Sequence, residues 1–457
     1  MKRILLVALF ALAMLTVVEG AVAQTATATK QAAAKAGPAF DESTPGVGPL
    51  RHEEAFVKLW NARREKFAVE KAKQQHAIVF FGDSITQGWR DDFHGKFPKL
   101  NVANRGISGD TTRGLIARVE ADVLALNPSC VVLLIGTNDI AKNVQPEDIA
   151  ANVKLLVGKI TAHDPKVPIV ICQVMPASGA KQRRPKETIQ KLNRLVAEAV
   201  RGNKQVTVLD TYTLFAGPDG DATLAEFPDL LHPNEVGYGK WQTALWPVLA
   251  TLGLVENEPD AFQPEQGYEL LFNGRNLDGW GYPKTSAKDL AMVKKWRDEN
   301  NKKAPAFPIV EQPVQFDGKT ASDDGRFRVV NGRLVVTTPT EGRCVQELAS
   351  TRDIAGDFTL KLEFRATPNA DSGVFVRGHQ LQCRDYTLAG PAQYKNLKQY
   401  KPQDWNELVI EVKGDHARCT CNGEVLEAAY EIPAVGPIGL EGDRGQMEYR
   451  RIRLRRD

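Results

Sequence analysis

The chain has 457 residues, of which 42% are hydrophobic and 25% charged, and its formal net charge is +3. These are the proportions of a globular protein long enough for two domains. So small a charge on so long a chain excludes nucleic acid and acidic membrane surfaces as expected partners.

Lys2 and Arg3 precede the apolar run "ILLVALFALAMLTVV", and "AVAQ" puts small residues ahead of a predicted cleavage between Ala23 and Gln24. Residues 1–23 are therefore expected to be an export signal, with no cysteine at the cleavage site to carry a lipid. The run is too short for a membrane span, and no later segment is long and apolar enough to cross a bilayer. The expected destination is the periplasm or the medium. Residues 24–50, rich in Ala, Thr and Gly-Pro, read as a tether.

From residue 51 to about 254 strands and helices alternate. Apolar runs at 77–81, 130–135, 167–174 and 206–209, with a weaker one at 101–103, are separated by helical periods such as "TTRGLIARVEADVLAL" and "KETIQKLNRLVAEAV". Near-continuous apolar strands divided by helices predict a parallel sheet covered on both faces. Ligands of such sheets bind beyond the carboxyl ends of the strands. Chemistry-bearing residues recur at those positions. "HAIVFFGDSITQGW" (76–89) runs from an apolar strand into Ser84, and a serine nucleophile needs a base and a group to orient that base. Among seven histidines, His232 of "PDLLHPNEVGYG" is singled out: an acidic residue, Asp229, stands three positions before it and the domain's last helical stretch follows just after. "NRGISGDTTRG" supplies Gly109, whose backbone N–H can approach a ligand closely, and "LLIGTNDIA" supplies the amide of Asn138. Taken singly, each of these is more often a turn or capping residue; their joint placement at one sheet edge points to acyl transfer.

"GDSIT", "GISGDTT", "GTND" and "DLLHPN" resemble, in order, the four sequence blocks of the SGNH (GDSL-type) hydrolases. The wording around them is closest to the platelet-activating-factor acetylhydrolase-like and carbohydrate-esterase branches. The resemblance implies a flavodoxin-like α/β/α fold over 51–254 and ester hydrolysis with no metal or cofactor. It implies Ser84 as nucleophile, His232 as general base and Asp229 as its orienter. The implied oxyanion hole is the N–H of Ser84, the N–H of Gly109 and the side chain of Asn138.

"VENEPDAFQPEQG", with two prolines and four acidic residues, reads as a linker over 255–266. Beyond it the period becomes two, as in "FTLKLEFR", "NELVIEVK" and "HARCTCNGEVL", and Asn-Gly pairs at 331–332 and 422–423 mark tight hairpins. These signals predict an antiparallel all-β jelly-roll sandwich over 267–457. A bridge from Cys344 or Cys383 to Cys419 or Cys421 is left open by the pattern, and no Cys-x-x-Cys pair supplies a zinc site. "YELLFNGRNLDGW", "NADSGVFVRG" and "WNELVIEVKGDHARCTCNGEVL" resemble the 3-keto-disaccharide hydrolase domains. The resemblance implies a concave face lined by Glu363, Arg377, Gln380, Gln382 and Asp385. This chain has Gln380 where relatives often carry glutamate, and glutamine is no general acid or base.

The expected protein is an exported serine esterase. It removes short acyl groups, acetyl favoured, from carbohydrate or another small ester, while the jelly roll holds the glycan. Two alternatives stay open: an esterase that also cleaves glycosides, and a non-catalytic glycan-binding protein. Oligomeric state is not legible.

Overall fold

The computed structural model describes residues 41–255, 261–300 and 304–456. The expected export signal and residues 24–40 of the expected tether lie outside the described residues. The first half is built on five strands: β1 (Ile78–Gly82), β2 (Val102–Gly106), β3 (Cys130–Leu134), β4 (Ile169–Cys172) and β5 (Val206–Leu209). They pair in parallel in the order β2-β1-β3-β4-β5, a flavodoxin-type order whose reversal falls beside β1.

Nine helices are described around this sheet: α1 (Glu54–Glu70), α2 (Ser84–Gln87), α3 (Thr112–Asp122), α4 (Thr137–Ala141), α5 (Pro146–His163), α6 (Gly179–Gln182), α7 (Lys186–Ala199), α8 (Thr211–Phe215) and α9 (Glu235–Thr251). Alternate strand residues feed two separate cores. Val79, Phe81, Val131, Leu133 and Ile171 pack with Leu115 of α3, Leu156 of α5 and Leu192 of α7. On the other face Ile78, Phe80, Val132 and Val170 meet Trp89 together with Trp241 and Leu245 of α9. Burial on both faces is why these strands read as unbroken apolar runs. No helix among the described residues is long and apolar enough to cross a membrane.

Residues 41–50 are not the loose tether that composition suggested. The Arg113 guanidinium donates to the carbonyls of Glu42, Thr44 and Gly48 at 2.8, 3.1 and 3.1 Å. Asn152 clamps Val47, accepting from its N–H at 3.0 Å and donating to its carbonyl at 2.7 Å, while Leu50 packs with Phe56 and Trp60 of α1. The expected linker is likewise docked in its second part. Glu265 accepts from Arg453 at 2.6 and 2.8 Å, and Phe262 lies under the guanidinium groups of Arg451 and Arg453.

The second half consists of two large antiparallel sheets packed as a jelly-roll-like sandwich, with a two-stranded ribbon of Ile354–Ala355 and Val435–Gly436 and one described α-helix, Ala287–Asn300. One sheet runs Glu424–Glu431, His416–Cys421, Asn406–Lys413, Phe358–Ala366, Met447–Arg456, Arg333–Val336, Phe327–Val330, with Glu269–Leu270 paired to Met447–Arg456. The other runs His379–Gln382, Gly373–Val376, Ile438–Gly442, Gln346–Ser350, Trp280–Tyr282, Val314–Gln315. Both Asn-Gly pairs form the expected two-residue hairpins, each with positive φ at both residues. All six cysteines are free and buried. The bridge left open by the sequence is therefore absent: Cys383, Cys419 and Cys421 are packed among the core apolar side chains.

The halves touch. Gly202 donates its N–H to Thr340 O at 3.0 Å, Asn369 Nδ2 to Asp210 Oδ2 at 2.9 Å, and Gln446 Nε2 to Pro247 O at 3.1 Å.

Candidate active site

Gly82 ends β1 with no room for a side chain, since a Cβ there would lie 2.2 Å from Leu134 O. Asp83 then caps α2 by accepting from Ile85 N–H, and Ser84 is the helix's first residue. The N–H groups of a first helical turn have no partner within the helix, so Ser84 carries its hydroxyl and a free-standing donor to the same rim. Gln87 locks the next loop by accepting from Ser108 N–H at 2.7 Å. Gly109 follows with φ of +82° and no acceptor for its own N–H among the described residues.

His232 Nε2 lies 2.9 Å from Ser84 Oγ, and His232 Nδ1 lies 2.6 Å from Asp229 Oδ2. The Asp-x-x-His spacing works differently from the expected helical turn. Leu230 adopts a left-handed φ of +62°, and Asp229 Oδ1 accepts the N–H of Leu231 and of His232. The carboxylate thus builds the turn that aims the ring. Partial burial pushes the Asp229 carboxyl up, but the hydrogen bonds from the His232 ring and backbone outweigh it and hold it below the usual carboxylate value.

Asn138 sits on α4 with Nδ2 3.0 Å from Asp110 O and 3.4 Å from Asp83 Oδ2. Its Oδ1 accepts from Arg184 Nη2 at 3.1 Å, while Arg184 Nε reaches the Thr137 carbonyl and hydroxyl at 2.9 and 2.8 Å. Behind these groups lie three buried acids, Asp83, Asp110 and Asp139. Burial pushes Asp83 and Asp139 up to about 7 and also raises Asp110, which Arg118 meets at 2.8 Å. A hydroxyl in contact with an imidazole whose far nitrogen rests on a carboxylate can lose its proton as it attacks a carbonyl.

The structure therefore brings together Ser84, Gly109, Asn138, Asp229 and His232. Sequence reasoning missed two arginines there. Arg184 lay in a basic run with no local motif. Arg51, in the stretch next to the supposed tether, stacks on Phe56 and donates to Gly109 O at 3.0 Å.

The five residues expected on the second domain's concave face are not brought together. Arg377 is buried, and its guanidinium donates to the carbonyls of Ile354, Gly356, Gly414 and Pro433. Asp385 is fully buried, accepting from Asn369 N–H, Thr387 and Gln403. Glu363 belongs to the other sheet, paired with Arg450 and Arg451 at 2.7 and 2.8 Å. Of the five, Gln380 and Gln382 remain on the strand His379–Gln382. Two residues not foreseen stand beside them. Glu347 and Glu441 are directly opposite on neighbouring strands, their inward neighbours Leu348 and Leu440 filling the core. Gln380 donates to Glu441 at 2.5 Å, and the missing side chain of Gly439 makes space for Glu347. Burial pushes Glu347 up to about 7 and Glu441 up to about 8.

Residues 80–240 match the GDSL-like lipase/acylhydrolase family, and residues 267–455 match the 3-keto-alpha-glucoside-1,2-lyase-like domain. The human platelet-activating factor acetylhydrolase IB subunit alpha2 is 26% identical over 211 residues, spanning 45% of this chain and 88% of that protein. An acetylxylan esterase of Geobacillus stearothermophilus is 36% identical over 86 residues, spanning 14% of this chain and 39% of the esterase. Among solved structures, a GDSL-like lipase of Bacteroides thetaiotaomicron is 25% identical with a TM-score of 0.37, covering 42% of this chain and 98% of its own. The chain is an ester hydrolase whose residues 80–240 match the GDSL-like lipase/acylhydrolase family, joined in one polypeptide to residues 267–455 that match the 3-keto-alpha-glucoside-1,2-lyase-like domain.

Proposed function

We propose that the protein is an exported serine esterase that removes short acyl groups, acetyl foremost, from carbohydrate. The observation that carries this reading is the 2.9 Å approach of His232 Nε2 to Ser84 Oγ. In the proposed reaction His232 takes the Ser84 proton as the oxygen attacks the ester carbonyl. The N–H groups of Ser84 and Gly109 and the Asn138 amide receive the negative oxygen. The alcohol leaves with the proton from His232. A water activated by the same ring then frees the acid, and Asp229 holds the ring's tautomer throughout.

The choice of acetyl is supported by what the similar proteins are named for, an acetylhydrolase and an acetylxylan esterase. The choice of carbohydrate is supported by the latter and by the second domain. Export is supported by Lys2, Arg3 and the apolar run after them, and the amino terminus of the protein recovered outside the cytoplasm is expected at Gln24. The decisive experiment compares wild type with Ser84→Ala on p-nitrophenyl acetate, acetylated xylan, acetylated sugars and short lipid esters, following acetate release. Loss of all release in a folded Ser84→Ala variant is expected. Surviving hydrolysis would remove Ser84 as nucleophile, and a preference for lipid esters would remove the sugar.

One observation favours a second activity beside the first, the placement of Glu347 and Glu441 directly opposite each other on neighbouring strands. A 3-keto sugar has an acidified hydrogen at C2. One ionised carboxylate can take that proton while its protonated neighbour gives a proton to the departing C1 oxygen. The Ser84→Ala chain would then still eliminate the aglycone from a 3-keto-glucoside, and Glu347→Gln would stop it.

A further inference from the structure

Between the two domains lies a cavity of about 550 Å³, bounded by Lys204 and Thr207 on one side and by Arg326, Arg328, Gln346 and Gln446 on the other. Its size falls within the roughly 300–1,000 Å³ of small-molecule sites. Arg326 is the residue in its wall that the fold alone does not account for. It is 6% exposed, and one Nη donates to the carbonyls of Cys344 and Asp443 at the long distances of 3.4 and 3.3 Å. Its Nε and other Nη have no partner, and no carboxylate among the described residues lies within ion-pair distance.

The acids nearest it are engaged elsewhere. Asp443 forms an ion pair with Arg343. Asp324 Oδ1 accepts from the Tyr282 hydroxyl at 2.8 Å, from Ser322 at 2.6 Å and from the Arg326 backbone N–H at 3.0 Å. A cation shut away from water without a counter-charge is costly. Gln346, also 6% exposed, lines the same cavity with its Oε1 unpartnered, an acceptor with no donor. Lys204 and Arg328 are exposed at the rim and form no ion pair among the described residues. Against these three cations the lining offers two acids, the engaged Asp324 and the exposed Glu341.

We propose that this cavity binds a carboxylated sugar, a uronic acid unit of a glycan, its carboxylate drawn to Arg326, Arg328 and Lys204 and a hydroxyl donating to Gln346. A bare anion answers the guanidinium and leaves the amide oxygen idle; a neutral sugar does the reverse. Because both domains line the cavity, the ligand stabilises the folded pair by linkage.

The test uses the full chain, with D-glucuronate as probe and D-glucose and inorganic phosphate as comparators, read by calorimetric titration and by the shift in melting temperature at low salt. Saturable binding and stabilisation by glucuronate, with none by glucose, is expected. Arg326→Met weakens it about tenfold or more, the effect of one lost charge-assisted contact. Should that variant misfold, Lys204→Gln with Arg328→Gln, both at exposed positions, tests the same attraction and is expected to weaken binding while leaving p-nitrophenyl acetate hydrolysis unchanged. That unchanged hydrolysis separates this site from the esterase reading. Equal binding of glucose, equal binding of phosphate, or unaltered affinity in the rim variant would each overturn the proposal.

Discussion

At Asn138 the side-chain oxygen is occupied by Arg184 Nη2, so the amide nitrogen is left on the side of Asp83 and Asp110, toward the Ser84 rim. An asparagine free to turn over would present its oxygen to an oxyanion half the time. Arg184 is thereby a positioning residue for the proposed oxyanion hole. Arg184→Gln is expected to lower kcat about tenfold or more with little change in KM, a smaller loss than the roughly 10²–10³ of deleting the amide in Asn138→Ala. Steady-state kinetics on p-nitrophenyl acetate check both, and a change confined to KM would remove the assignment. Arg184→Lys, which lacks the fork that reaches Thr137 and Asn138 together, recovers at most part of the rate. Ser84, Gly109 and Asn138 were legible because each sits within a few positions of its own strand end, and Asp229 with His232 because the two lie three residues apart in one short stretch. Arg184 was not, because its bond to Asn138 spans 46 residues of chain and leaves no trace in the local pattern.

The element carrying Ser84 depends on backbones meeting closely. A Cβ on Gly82 would lie 2.2 Å from both Leu134 O and Thr86 Oγ1, and the first of these belongs to the neighbouring strand and cannot swing aside. Gly82→Ala must push β1 from β3. It is expected to cost about 1–3 kcal/mol, as overpacking does, and to reduce turnover by displacing Ser84; chemical denaturation with parallel activity assays reads both. In the second domain the relevant element is the strand pair bearing Glu347 and Glu441. A carboxyl raised from 4.5 to about 7 or 8 keeps its proton in the fold where the unfolded chain has already lost it. The folded state then binds more protons than the unfolded one, so these groups make stability fall as pH rises from about 4.5 toward 8. Glu441→Gln removes one of them. Melting temperatures of the variant from pH 5 to 8 are expected to decline less steeply than those of wild type; parallel curves would mean that Glu441 is ionised throughout. Period-two alternation revealed Phe358–Ala366, Asn406–Lys413 and His416–Cys421 but not the strands bearing Glu347 and Glu441. Alternation does not say which of two sheets a polar residue decorates; the resemblance to the 3-keto-disaccharide hydrolase domains alone placed Glu363, Arg377 and Asp385 on one face with Gln380. Arg377 and Asp385 instead satisfy carbonyls and donors from loops far away in sequence.

Across the whole molecule, the parallel sheet ends at β5, whose outer edge has no strand partner among the described residues. An open edge invites pairing with another chain. Here the second domain stands against it: Thr338, Pro339 and Thr340 face Val206 and Thr207 across the interdomain cavity, and Thr340 O accepts the Gly202 N–H. Asn369 meets Asp210 just past the end of the same strand. Nothing in the local sequence of "QVTVLD" distinguishes an edge covered by another domain from one buried inside a wider sheet, since both demand apolar residues. Expressed without residues 256–457, the hydrolase domain keeps Ser84, Asp229 and His232 but exposes β5 and the half-buried Val208. It is expected to retain hydrolysis of p-nitrophenyl acetate, to melt at a lower temperature than the full chain, and to self-associate as concentration rises. Calorimetry and light scattering decide the point. A fragment that stays monomeric and melts with the full chain would mean that the second domain merely lies beside this edge, whereas self-association relieved by a charge at Thr207, as in Thr207→Lys, would trace the effect to the strand itself.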